Sequence, residues 1–346
     1  MSTLQIGLAI AGGLALAAVV AHGAWSARKV APRQAQQVGG NEDEPAAEPV
    51  AIEPSLDDAE FVPPTVPQPA AEKRPGLDAL IDVIAPIALE ADVYGEAVLA
   101  ALPTTRRVGS KPFAVEGLNV QRRHWETPVA GQRYESFQAG VQLANRSGAL
   151  NEIEFSEFVA KAQAFADAIG GTPDFPDMLE EVARARELDQ FASGHDAQLG
   201  FTLRARSAAW SPGYVQQHAA RLGFVAGSLP GRMVLPASGA GMPPVLSLGF
   251  DTQAALADDP AQAAVREVSL ALDVSQVDRA EQPFVRLREI AQAMAQAMDG
   301  AVTDDNGQAL ARETMDHIGG ELEGLYDTLQ ARDLSAGSAL ARRLFS

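Results

Sequence analysis

The feature that most constrains this chain is the run from Leu4 to Trp25, which carries no formal charge and is built mainly from Leu, Ile, Val, Ala and Gly. As a helix it would extend roughly 33 Å, enough to cross a hydrocarbon core of about 30 Å. Leu4, Leu8, Leu14 and Val19 supply apolar surface along the run, and Trp25 stands at its end as an interfacial anchor would. Arg28, Lys29 and Arg33 follow directly, whereas Met1 to Thr3 has no basic side chain. The positive-inside bias then leaves the N-terminus outside and the rest of the chain inside. A cleaved signal peptide would need its basic residues before the apolar run and a small-residue cleavage site after it. Here the basic residues lie on the other side. His22 is about one turn from the basic flank, so it reads as an interfacial residue and not as a functional intramembrane group. Residues 1–29 are thus expected to be a single-pass anchor.

Of the 346 residues, those beyond the anchor leave room for two ordinary domains. The chain has no cysteine, which excludes disulfides, thiolate metal sites and cysteine nucleophiles. With 45 acidic against 27 basic residues its net charge is −18, which disfavours the phosphate footprint of a nucleic-acid binder. Residues 30–75 show no apolar period. They hold the acidic cluster Glu42, Asp43 and Glu44 and the prolines Pro45, Pro49, Pro54, Pro63, Pro64, Pro67 and Pro69. Such a stretch buries too little surface to offset its ordering entropy, so a disordered, partly polyproline-like tether is expected. Its reach is about 35–40 Å as a coil and ~140 Å fully extended, holding a globular module near the membrane without fixed orientation.

The anchor ends in AVVAHGAWSARK (Ala18 to Lys29), and a Pro-rich acidic tether and a C-terminal α+β module follow. In this order the chain resembles the ZipA family of bacterial division proteins. The resemblance implies an essential-type division adaptor at the inner membrane and septum. It would be single-pass with the N-terminus periplasmic and the soluble part cytoplasmic. It would bind the C-terminal tail of FtsZ, the tubulin-like GTPase of the division ring, and use no cofactor.

Beyond the tether the sequence repeats a design. Phe155 to Gly171 carries Phe155, Phe158, Val159, Ala162, Phe165, Ala166 and Ile169 at helical spacing, and Phe284 to Gly300 carries Phe284, Leu287, Ile290, Ala291, Met294 and Met298. Each run ends at a glycine suited to a C-cap, Gly171 and Gly300. Each follows an alternating strand, with Phe137, Ala139, Val141 and Leu143 inward in one and Val268, Leu270, Leu272 and Val274 in the other. Upstream, 79–89 is β-rich, 93–102 reads as a helix and 111–120 as a strand, with a short third strand near 124–128. In the second copy 198–206, 224–235 and 245–251 read as strands, and Ser211-Pro212 opens a helix. Closing helices are expected over 176–190 and 311–332. The fold class is α+β. Two split βαβ units, 76–193 and 194–346, each present an antiparallel sheet with helices on one face. The second resembles the ZipA C-terminal domain over almost its whole length, and the first more loosely.

A sheet covered on one side leaves its other face for a partner. In the second unit the opposite parity gives Gly200, Thr202 and Arg204, then Ser247, Gly249 and Asp251, then Ser269, Ala271 and Asp273. Leu229, Met233 and Leu235 are candidates for added apolar area. In the first unit the outward set is Tyr134, Ser136, Gln138, Gly140 and Gln142, beside a first strand that is apolar on both parities (Leu80 and Ile84, Ile81 and Val83). Two readings stand: the first unit is a second receptor for an apolar tail, or its apolar residues pack against the second unit. Arg106, Arg107, Lys111, Arg122, Arg123 and Arg133 likewise read either as a docking edge for an acidic tail or as an ordinary solvated edge.

No catalytic or metal-binding constellation emerges. Ser228 to Pro244 is rich in Gly and Pro but lacks the strand–GxGxxG–helix context of a dinucleotide site. Asp304 to Gly307 lacks the alternating order of a calcium loop, and the five histidines have no ligand spacing. The expected partners are the FtsZ tail and the bilayer, with no nucleic acid and no small-molecule substrate. The alternative is a membrane-anchored solute- or peptide-binding module facing the envelope.

Overall fold

Alternation in the sequence becomes alternation in burial. In the strand Glu267–Asp273, Val268, Leu270 and Leu272 are buried while Glu267, Ser269 and Ala271 are exposed. The computed structural model describes residues 76–259, 263–304 and 307–346, together with Arg33. The expected anchor Leu4–Trp25, with Arg28 and Lys29, and the expected tether apart from Arg33 lie outside the described residues, among which no helix is long and apolar enough to cross a membrane.

The first part of the chain runs β1 (Asp82–Tyr94), α1 (Gly95–Ala101), β2 (Arg107–Val108), β3 (Lys111–Asn119), β4 (Trp125–Glu126) and β5 (Arg133–Gln142). A small hairpin, β6 (Ala144–Asn145) and β7 (Gly148–Ala149), leads to α2 (Glu152–Ile169), β8 (Gly171–Pro173) and α3 (Met178–His195). The second part runs β9 (Gln198–Ala205), α4 (Pro212–Arg221), β10 (Val225–Ala226), β11 (Arg232–Leu235) and β12 (Leu246–Gly249). It continues through α5 (Thr252–Ala255), β13 (Glu267–Asp273), α6 (Pro283–Met298), β14 (Gly300–Thr303), α7 (Arg312–Gln330) and α8 (Ala339–Leu344).

The strands form two antiparallel sheets, β2-β3-β5-β1-β8, with β4 beside β3, and β10-β11-β12-β13-β9-β14. Both place the opening strand one in from an edge, between two later strands. One neighbour of that strand leads into the long helix, and the other leaves it. This is a split βαβ order, and its return strands β8 and β14 are too short to show in sequence periodicity.

The long helices form where the pattern predicts, each for a local reason. Asn151 caps α2 by accepting from Ile153 N and Glu154 N, both at 3.0 Å, while Glu154 reaches back to Asn151 N in a reciprocal capping box. Pro283 opens α6. Burial of Phe284, Leu287, Ile290, Ala291, Met294 and Met298 fixes α6 on its sheet, each large side chain contributing about 1.5–3 kcal/mol. The caps lie one residue earlier than expected. Gly170 (φ 69) and Asp299 (φ 55) take the left-handed conformation, whereas Gly171 and Gly300 begin the return strands. Those two glycines serve close approach. A Cβ on Gly171 would stand 2.7 Å from Ile87 Cγ2, and one on Gly300 would stand 3.2 Å from the Trp210 ring.

Side chains far apart in sequence join the two sheets. Arg146 forks onto Asp196, which lies between α3 and β9, at 2.6 and 2.7 Å, and reaches Asp273 of β13 at 2.7 Å. Helix α8 is shared. Gln276 Nε2 donates to Phe345 O at 2.7 Å, and from the other side Gln142 Nε2 donates to Arg343 O at 2.8 Å. The Arg343 guanidinium meets the carboxylate of Asp82, which is fully buried at the start of β1, at 2.9 Å. Burial raises the Asp82 pKa above the ordinary carboxylate value, and Arg343 opposes that rise.

Candidate partner-binding faces

The register of the second sheet assigns its helix-free face directly. Arg232, Gly249, Ser269, Thr202 and Thr303 line up across five strands. The next row is Val225, Val234, Ser247, Ala271 and Gly200. Small side chains thus floor a shallow trough in the middle of the sheet. At one margin stand the exposed Val225 and Leu229. A third row, Glu267, Arg204 and Ala301, closes one end, with Arg204 Nε 3.3 Å from Glu267 Oε1. The Arg232 side chain lies over Gly249, where a Cβ would stand 2.7 Å from its Nη1, and it has no ion-pair partner among the described residues. The trough can therefore take an extended peptide with an apolar side chain, with a cation at hand for a carboxylate.

Thr202, Arg204, Ser247, Gly249, Ser269 and Ala271 all fall on this face, as their parity predicts. Met233 and Leu235 do not. Both are buried against the helices, so on β11 it is Arg232 and Val234 that face outward. Asp251 leaves the sheet as well. It caps α5, its Oδ1 accepting from Gln253 N at 2.8 Å. Val225, Val234 and Arg232 were missed by sequence reasoning, although taking Leu235 as inward would have placed Val234 and Arg232 outward.

In the first sheet the corresponding rows are Ala88–Ser136–Leu118, Pro86–Gln138–Glu116 and Ile84–Gly140–Ala114. Tyr134 is not among them. It is fully buried, its hydroxyl accepts from Val129 N at 3.0 Å, and its ring lies 5.6 Å from that of Phe137. The pairing steps from Ser136 to Tyr134 opposite Leu118 and Asn119, so Glu135 is an extra residue that turns Tyr134 inward. Gln138 does lie on the face, where its Nε2 donates to Glu116 Oε2 at 2.8 Å.

Pro86, Ala88 and Ala114 remain exposed, whereas Asp82 and Gln142 at the end of the same face are buried against Arg343 of α8, so the second unit covers only that end. Beside them opens a cleft of about 300 Å³ lined by Leu77, Leu102, Pro103, Phe113 and Arg106. Gln142, 1% exposed, borders it with an Oε1 that accepts no hydrogen bond. The basic group divides clearly. Arg107 donates to Ser110 O, and Arg122, Arg123 and Arg133 pair with Glu126, Glu135 and Asp92. Lys111 is buried and bound to Ser110 Oγ and Asn145 Oδ1, its pKa lowered by that burial. Arg106, at the cleft, has no ion-pair partner among the described residues.

Residues 256–320, from the end of α5 through β13, α6 and β14 into α7, match the family model described as ZipA, C-terminal FtsZ-binding domain. No curated protein matches the chain closely enough to count as a relative. Among solved structures, the berberine bridge enzyme from Eschscholzia californica aligns at 9% identity over 62% of this chain and 41% of its own, with a TM-score of 0.15. That score is too low to imply a shared fold. The matched segment supplies β13, the long helix α6 and the return strand β14, so within the second unit these elements are similar to the ZipA C-terminal FtsZ-binding domain.

Proposed function

We propose that this protein is a division adaptor that ties FtsZ polymers to the inner membrane, and that its second unit receives the FtsZ tail in the Ala271 trough. The observation that carries the reading is the family match over 256–320, which contributes Ser269, Ala271 and Thr303 to this face and α6 behind it. The run Leu4–Trp25 is the bilayer anchor, with Arg28 and Lys29 on the cytoplasmic side. Each protein offers a weak site at the membrane surface, and many such sites hold one polymer by avidity. The shared strand order of the two sheets supports a tandem of related units, with the Arg106 cleft of the first as a subsidiary receptor.

Two measurements test this reading. The full chain in lipid nanodiscs should bind a fluorescent peptide of the FtsZ C-terminal tail in an anisotropy titration. No binding at high micromolar concentration would remove the adaptor mechanism. Deleting residues 1–29 should move the protein to the soluble fraction without weakening the peptide. Persistence in membranes would refute the single anchor.

A further inference from the structure

Arg33, which follows the proposed anchor by a few residues, is docked on the second unit. Its main chain adds to the segment Ala209–Ser211. Arg33 N donates to Ala209 O at 2.7 Å, and Ser211 N donates to Arg33 O at 2.8 Å, forming a parallel bridge to Trp210. On the opposite side Trp210 exchanges two 2.8 Å main-chain bonds with Val265. Arg33 thus occupies the open edge of a small ladder centred on a fully buried tryptophan.

The side chain adds selectivity. Nη2 meets Asp299 Oδ2 at 2.8 Å, and Nη1 donates to Met298 O at 3.2 Å. That carbonyl lies at the C-terminal end of α6, where a cation is favoured, and it also accepts from Trp210 Nε1 at 2.7 Å. Asp299 is held in turn by Ser207 Oγ at 3.2 Å. A carboxylate and a helix-end carbonyl side by side fit the fork of a guanidinium, which an ammonium would fill less well.

We infer that the Trp210 edge is a latch for the chain's own juxtamembrane arginine. The consequence rests on the anchor reading. Lys29 and Arg33 are separated by at most about 14 Å of extended chain. A latched second unit therefore sits against the bilayer. Release of Arg33 gives the unit the full reach of the tether. The same adaptor then has a short state and a long state, differing by one ion pair, one side-chain bond to Met298 O and two main-chain bonds.

The test uses the full chain in nanodiscs with Arg33→Glu and Asp299→Asn variants, two substitutions on different elements. Hydrogen exchange by mass spectrometry should show the Ser211 amide, which donates to Arg33 O, exchanging at least about ten-fold faster in both variants. Unchanged exchange in both overturns the latch. Energy transfer from a dye on a single cysteine introduced at Ser238 to a lipid-borne acceptor should fall in both. Faster exchange with unchanged transfer leaves the latch standing and overturns the anchor reading instead.

Discussion

Replacing Ala271 with glutamate is expected to weaken binding of the FtsZ-tail peptide at least about a hundred-fold, because the partner must then desolvate or avoid an unpaired carboxylate. Ala271 stands between Ser247 and Gly200 in the floor of the trough and is exposed, so the fold itself has nothing to lose there. Thermal stability should stay within about 0.5 kcal/mol of the parent. Anisotropy titration and a melting curve on the same sample separate the two effects. Wild-type affinity in the Ala271→Glu protein would place the tail elsewhere. Pro86→Glu on the first unit is the control for where that is, since Pro86 is exposed on the corresponding face.

The second large effect concerns stability. Arg343→Ala leaves the buried Asp82 carboxylate without its cation, and breaking a buried pair in this way typically costs about 3–5 kcal/mol. Its pH dependence has a definite sign. Burial already raises the folded-state pKa of Asp82, and loss of Arg343 raises it further. The folded variant then binds a proton more readily than the unfolded chain, so its stability falls as pH rises. The deficit should be full at neutral pH and shrink as pH falls through the raised carboxylate pKa. Urea denaturation of both proteins at neutral and mildly acidic pH measures it. A deficit that grows on acidification would show that Asp82 is not the group responsible.

Much of this arrangement was legible in the chain because it rests on local periodicity. The helix faces through Phe158 and Leu287 and the inward parity of Leu270 follow from spacing alone. Tyr134 escaped because the extra residue Glu135 shifts parity within one strand, and nothing in the alternation YESFQAG marks where the shift occurs. Met233 and Val234 exchanged places because β11 has only four residues and a Gly/Pro-rich connection on either side. The junction was invisible for a different reason. Asp82 and Arg343 meet across a separation of 261 residues, and neither carries a sequence signal of its partner. The same holds for Arg33, which in sequence is simply one of three basic residues after an apolar run.

The placement of β1 and β9 between two later strands also bears on how the protein is made. In each sheet the strand synthesised first must wait for both of its neighbours, β5 and β8 for β1, then β13 and β14 for β9. Non-local pairings of this kind fold slowly and leave strand edges open meanwhile. A nascent chain emerging from the ribosome would carry β9 unpaired on both sides until Asp273 had been added, and on one side until Thr303 had been added. Ribosome-bound intermediates of this protein are therefore expected to depend on holdase chaperones for much of their synthesis, even though the finished sheets are fully paired inside.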